Sequence, residues 1–157
     1  MSASSGEHQR DIRAVPGGPI YEDADLLVKH LPVDETGRAY LGYLILETRR
    51  HAGDIGDLTD SEAQKIGLWL SRLSRDLRSV LGADHVYAFV LGDHVPQFHV
   101  HVIARHPGTP LEYYGTRIAD WPDAPRGDEQ AIGELVARLR ARLGDAITHV
   151  IAQQKGS

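Results

Sequence analysis

The sequence contains no cysteine, which removes disulfide frameworks and thiolate chemistry at once. It has no apolar run of about 18 residues, the length that reads as a membrane-spanning helix. The segment from Met1 to Arg13 is polar and Ser-containing, without the apolar stretch of a secretory signal. Basic excess is missing too: 17 Lys and Arg stand against 22 Asp and Glu, a formal net charge of −5. A general DNA or RNA binder shows a basic footprint, so nucleic acid is not the expected partner. A small anionic ligand stays open, because a pocket can be locally positive on an acidic protein. These absences fit a soluble, cytoplasmic protein that engages no membrane.

What is present suits one compact domain. With 157 residues, 41% hydrophobic and 25% charged, the chain can bury one sizeable core. Pro16-Gly17-Gly18-Pro19 closes a polar start, so residues 1–18 read as a disordered arm, 19–145 as the domain and 146–157 as a tail. Ile20-Tyr21 and Leu26-Leu27-Val28 suggest a first hairpin, and Asp34-Glu35-Thr36-Gly37 a turn. The run from Tyr40 to Leu46 is apolar, aromatic and too short for a typical helix, so it reads as a buried strand.

Thr59-Asp60-Ser61-Glu62 has the capping-box pattern that starts a helix. Behind it Ile66, Trp69, Leu70, Leu73, Leu77 and Val80 recur at three- and four-residue steps, and Gly82 supplies the stop. His85 to Leu91 and Phe98 to Ala104 then read as strands joined by the short segment Gly92 to Pro96, most simply as an antiparallel pair. The Pro- and Gly-punctuated stretch from His106 to Gly127 reads as a long loop, with His106 exposed in it. A second helix, from about Asp128 to Leu143, carries Ile132, Leu135, Val136, Leu139 and Leu143 on one stripe and stops at Gly144. Arg138, Arg140 and Arg142 spread round that helix as a solvated face. The order β-β-β-α-β-β-α predicts an α+β fold, an antiparallel β-sheet with two main helices.

Chemistry concentrates in Gln97-Phe98-His99-Val100-His101-Val102-Ile103. Residues two apart on a strand share a face, so Gln97, His99 and His101 point one way and Phe98, Val100 and Val102 the other. The apolar set belongs to the core, and the polar set faces a cleft or solvent. Paired imidazoles suit nucleophilic or acid–base work near neutral pH. A chance surface pair and a shared metal are the other readings of His-x-His; against the metal, the next carboxylate after the pair is Glu112.

The stretch from Val95 to Arg105 resembles the signature of the histidine triad (HIT) superfamily, His-φ-His-φ-His-φ-φ with φ apolar. Tyr40 to His51 is similar to a strand that ends in a basic-basic-His turn, Asp57 to Glu62 to the start of the long helix, and Trp121-Pro122 to a Trp-Pro element after the triad. The resemblance spans roughly Ile20 to Leu143. It implies a HIT-like fold and a hydrolase or nucleotidyltransferase acting on nucleoside phosphates: dinucleoside polyphosphates, phosphoramidates or adenylylated small molecules. By the resemblance, His99 is the nucleophile that attacks the α-phosphorus and forms a nucleotidyl-imidazole, and His101 orients it and touches phosphate. The loop with Gly92 and His94 brings backbone N–H groups to the phosphate, and Arg105 is either a phosphate contact or a surface charge. Gln97 stands where the first histidine is usual; it can hydrogen-bond but cannot change charge. No cofactor and no metal are implied, and a homodimer is. His51 is a lesser candidate for the site, and Trp121 is expected to pack.

Overall fold

The computed structural model describes residues 16–155, with side chains to residue 144; residues 1–15 of the expected arm lie outside the described residues. Strands β1 (Tyr21–Glu22), β2 (Leu26–His30), β4 (Tyr43–Thr48), β5 (His85–Phe89) and β6 (His99–Arg105) form one antiparallel sheet in the order β1-β2-β4-β6-β5. Strands β3 (Ala39–Tyr40) and β7 (Arg126–Gly127) make a small second pair. Helix α1 spans Asp60–Leu81 and α2 spans Glu129–Lys155. The architecture is α+β, as the element order predicts.

Local chemistry explains the start and end of α1. The Thr59 hydroxyl accepts from the Glu62 N–H at 3.1 Å, and the Glu62 carboxylate accepts from the Thr59 N–H at 2.9 Å. Two of the four N–H groups that a helix start leaves unpaired are thereby satisfied. At the other end Gly82 adopts a left-handed conformation, φ +66°. The buried stripe Ile66, Trp69, Leu73 and Leu77 meets Leu26, Val28, Leu44, Leu46, Val100 and Val102 on one sheet face. Ile132, Leu135, Val136 and Leu139 of α2 complete that core. Each such side chain contributes about 1.5–3 kcal/mol by leaving water, so the helices hold this face firmly and the histidine face lies opposite.

Three local expectations are corrected. The apolar run from Tyr40 is not one strand: it breaks at Leu41-Gly42, and Ala39–Tyr40 leaves the main sheet to pair with Arg126–Gly127. Gly42 has φ +87°, and a Cβ there would lie 2.7 Å from Leu81 and 2.9 Å from Ala104. At this bend the backbone lies close against Leu81 of α1 and Ala104 of β6, and only glycine fits it. The stretch after β6 is not an open loop either. It winds through 3-10 turns at Leu111–Tyr113 and Gly115–Asp120, and buries Ile118 and Ala124 against Tyr40 and Ile103. Trp121 packs against this second cluster, as expected of it. His106 is buried, 6% exposed, with Nε2–H donating to the Leu41 carbonyl at 2.7 Å, because the wrap seals it against the bend. Finally, α2 runs through Gly144 to Lys155, so the backbone of residues 146–155 is helical. An interior glycine costs a helix only about 1 kcal/mol against alanine, too little to end one.

The arginines of α2 are tied down more than a solvated face requires. Arg142 pairs with Asp76 of α1 at 3.1 Å, and Arg140 donates to the carbonyl of Pro19 at 2.6 Å.

Candidate functional site

Strand register builds the site. Glu47 sits opposite His99, Ile45 opposite His101 and Tyr43 opposite Ile103, while Phe89 of β5 flanks His101 from the other side. Alternation then holds as the sequence predicts: Phe98, Val100 and Val102 are 4%, 1% and 1% exposed in the core, and His99 and His101 are half-buried on the other face. Gln97 lies just before the strand.

The hydrogen bonds around the pair fix where each proton sits. His99 Nδ1 is 2.8 Å from the Gln97 carbonyl oxygen, which can only accept, so Nδ1 carries the proton. Neutral His99 then has a bare Nε2. That atom is 3.1 Å from His101 Nε2, so His101 Nε2–H must donate into it. His101 Nδ1 is in turn bare, and it is 2.8 Å from the Tyr43 hydroxyl, which therefore donates. One direction runs through the chain: Tyr43 to His101 to His99 to the Gln97 carbonyl. Burial lowers the His101 pKa, which favours its neutral form. Burial also raises the Tyr43 pKa, so its hydroxyl keeps its proton. The rings meet edge to face, His99 on His101 at 4.7 Å and Tyr43 on His101 at 5.7 Å.

The Gln97 side chain turns away from the pair and into the turn after β4. Its Nε2 donates to the Thr48 carbonyl at 2.7 Å, the Thr48 hydroxyl at 2.9 Å and the Arg50 carbonyl at 2.9 Å. Its Oε1 accepts from His51 Nδ1 at 3.1 Å. His51 is thus held beside Gln97 at this turn, while Arg50 is held by Glu62 at 2.7 Å and Arg49 by Glu22 at 2.6 Å. Gly92 and His94 are exposed on the turn between β5 and β6, where Gly92 has φ +75°. Arg105 is placed apart. It lies six residues along β6 from His99, about 20 Å at the usual rise, with its guanidinium 4.0 Å over the Tyr114 ring and bonded to the Tyr87 hydroxyl at 3.1 Å.

Two features of this face went unread in the sequence. One is Tyr43, hidden in an apolar run; the signal was Glu47, a carboxylate two steps from Ile45 and four from Tyr43, which marks their shared face as polar. The other is the pair Lys29 and Glu47, both buried, 3.8 Å apart across β2 and β4 on the histidine face. Among the described residues no three His, Cys, Asp or Glu side chains gather to hold a metal ion, and no helix is long and apolar enough to cross a membrane.

No protein-family model and no curated protein matches the sequence. Solved structures do match in fold. A histidine triad protein from Bradyrhizobium japonicum is similar at TM-score 0.63 and 23% identity, covering 89% of this chain and 96% of its own. One from Sinorhizobium meliloti gives 0.64 and 24%, covering 85% and 93%. A Zn-bound histidine triad family protein from Mycobacterium smegmatis gives 0.65 and 21%, covering 93% and 99%. The fold of this chain is the histidine triad fold, and the strand that carries the signature-like residues sits within it as β6.

Proposed function

We propose that this protein is a histidine triad enzyme, a hydrolase or nucleotidyltransferase that acts on nucleoside phosphates through a covalent nucleotidyl-histidine on His99. The observation that carries the reading is the tautomer of His99. With Nδ1–H committed to the Gln97 carbonyl, the lone pair is on Nε2, on the half-buried face away from the core. In the proposed reaction that lone pair attacks the α-phosphorus, the Nε2–P bond forms, and the bond from phosphorus to the leaving group's oxygen or nitrogen breaks, its electron pair departing with the leaving group. Water or another acceptor then attacks the same phosphorus, displaces Nε2 with its lone pair restored, and releases to solvent a proton that balances the one the departed leaving group takes up. The His101 Nε2–H, which occupies the His99 lone pair at rest, turns to a non-bridging phosphoryl oxygen as the pair is used. Gly92 and His94, on the turn beside the strand, are the proposed phosphate contacts of the loop.

A second reading is a nucleotide-binding module with weak turnover, favoured by Gln97, which offers no titrating group at its position and whose amide is engaged in the turn. A screen of nucleotide substrates with the natural protein and His99→Ala separates the two. Turnover in the natural protein that His99→Ala abolishes supports the enzyme. Nucleotide affinity without turnover in the natural protein supports the module. Turnover that persists in His99→Ala within severalfold removes the nucleophile assignment.

A further inference from the structure

We propose that Tyr43 is the positioning residue of this site: its hydroxyl fixes the tautomer of His101 and thereby aims the His101 Nε2–H at the reacting centre. The inference rests on the reading of His99 as nucleophile and adds the group that holds its neighbour in place.

The geometry leaves the role to this hydroxyl. An imidazole that donates from Nε2 needs a donor opposite its Nδ1, or that buried nitrogen is left unpaired at a cost of about 1–3 kcal/mol. Tyr43 Oη lies 2.8 Å from His101 Nδ1 and donates to it. The ring is itself held: Tyr43 stands at the start of β4, directly after the Gly42 bend, and packs edge to face on Tyr40 at 6.5 Å. Gly42 is fixed in turn, its N–H donating to His30 Nε2 at 3.1 Å. The hydroxyl is thus presented by backbone that the core has already set. The charged and titratable groups that the register puts on this face are His99 and Arg105 on β6, Tyr43 and Glu47 on β4, His85 and Tyr87 on β5, Lys29 on β2 and Glu22 on β1. Among these, Tyr43 and His99 have bonds to the His101 ring. Without the hydroxyl, His101 is free to carry its proton on Nδ1, and its Nε2 then meets His99 Nε2 lone pair to lone pair. The donor that should pass to the phosphoryl oxygen would be absent in that fraction of molecules.

The test compares the natural protein, Tyr43→Phe and Tyr40→Phe. Tyr40→Phe is the structural control, because it removes a neighbouring hydroxyl bond, to the Ala104 carbonyl, that does not touch the histidines. Imidazole nitrogen NMR of the full chain reports the His101 tautomer without any substrate. Expected are the Nε2–H tautomer in the natural protein and in Tyr40→Phe, and a mixture in Tyr43→Phe. On a nucleotide substrate, kcat of Tyr43→Phe should fall about tenfold with KM within twofold, the size of one such bond. An Nδ1–H tautomer in the natural protein overturns the proposal and needs no variant to fold. So does a tautomer, or a kcat, that Tyr43→Phe leaves unchanged in an active enzyme. A natural protein that turns over no nucleotide instead overturns the enzyme reading itself.

Discussion

Gln97 acts through its backbone and its side chain in different directions, and that separation can be tested. Its carbonyl holds the His99 proton, and its amide ties the strand to Thr48, Arg50 and His51. Gln97→Ala keeps the carbonyl, so the His99 tautomer should persist while the turn loosens. We expect turnover to fall by up to about tenfold without vanishing, the value of roughly 0.5–1.5 kcal/mol for a lost neutral bond. Gln97→His should be tolerated and add a titrating limb near neutrality. The pH–rate profiles of the three proteins on one substrate check this, and a Gln97→Ala profile that matches the natural protein at every pH would contradict it. The alternation of His99 and His101 with Val100 and Val102 was legible in the sequence because a strand's period is local, but Gln97 precedes the strand and its side chain leaves their face. The bonds that set the tautomers were not legible, because they join residues such as Tyr43 and His101 that only the sheet register brings opposite.

At the scale of elements, the bend between β3 and β4 carries the most consequence. Gly42→Ala forces a side chain into a left-handed conformation and toward Leu81 and Ala104. Strain and overpacking together should lower stability by about 2–4 kcal/mol, read as a shift in denaturant midpoint; a change under 0.5 kcal/mol would mean that the bend relaxes freely. His30 stitches the same bend with Nδ1–H to the Leu31 carbonyl at 2.7 Å and Nε2 accepting from Gly42. It is fully buried, and burial lowers its pKa from the ordinary 6.5. The unfolded chain therefore takes up a proton near pH 6.5 that the folded chain refuses until lower pH. Stability should fall as pH drops below about 6.5 toward the lowered folded value, and level off beneath it. His30→Asn should weaken that slope in urea melts between pH 7 and pH 5; an unchanged slope would assign it to other groups. The helix start at Thr59 was readable because a capping box is a four-residue pattern. The β3–β7 pair was not, since its partners are more than eighty residues apart and each strand has two residues.

For the whole molecule, the division of the sheet into a helix-covered face and a histidine face follows from the alternation of β4 and β6. For β6 the period-two pattern of the sequence foretold that division; for β4 it did not. The pattern also left out the wrap from His106 to Gly127, whose polar, Pro-punctuated sequence gives no periodic signal although Ile118 is fully buried within it. Strand β5 ends the sheet, and Val90 and Leu91 just beyond it are 45% and 59% exposed. An open strand edge beside exposed apolar side chains favours self-association, in keeping with the homodimer that the resemblance implies. Light scattering should give twice the mass of one chain at micromolar concentration, and the mass of a single chain would contradict that expectation.

The most direct measurement of the central claim is a single-turnover reaction on a nucleotide substrate, quenched in alkali, where a phosphorus–nitrogen bond to histidine survives, and read by mass spectrometry of the protein. The account expects one nucleotidyl group per active site, localised to the peptide containing His99, and none in His99→Ala. Turnover of the substrate with no adduct at any time, or with the adduct on another residue, would contradict it.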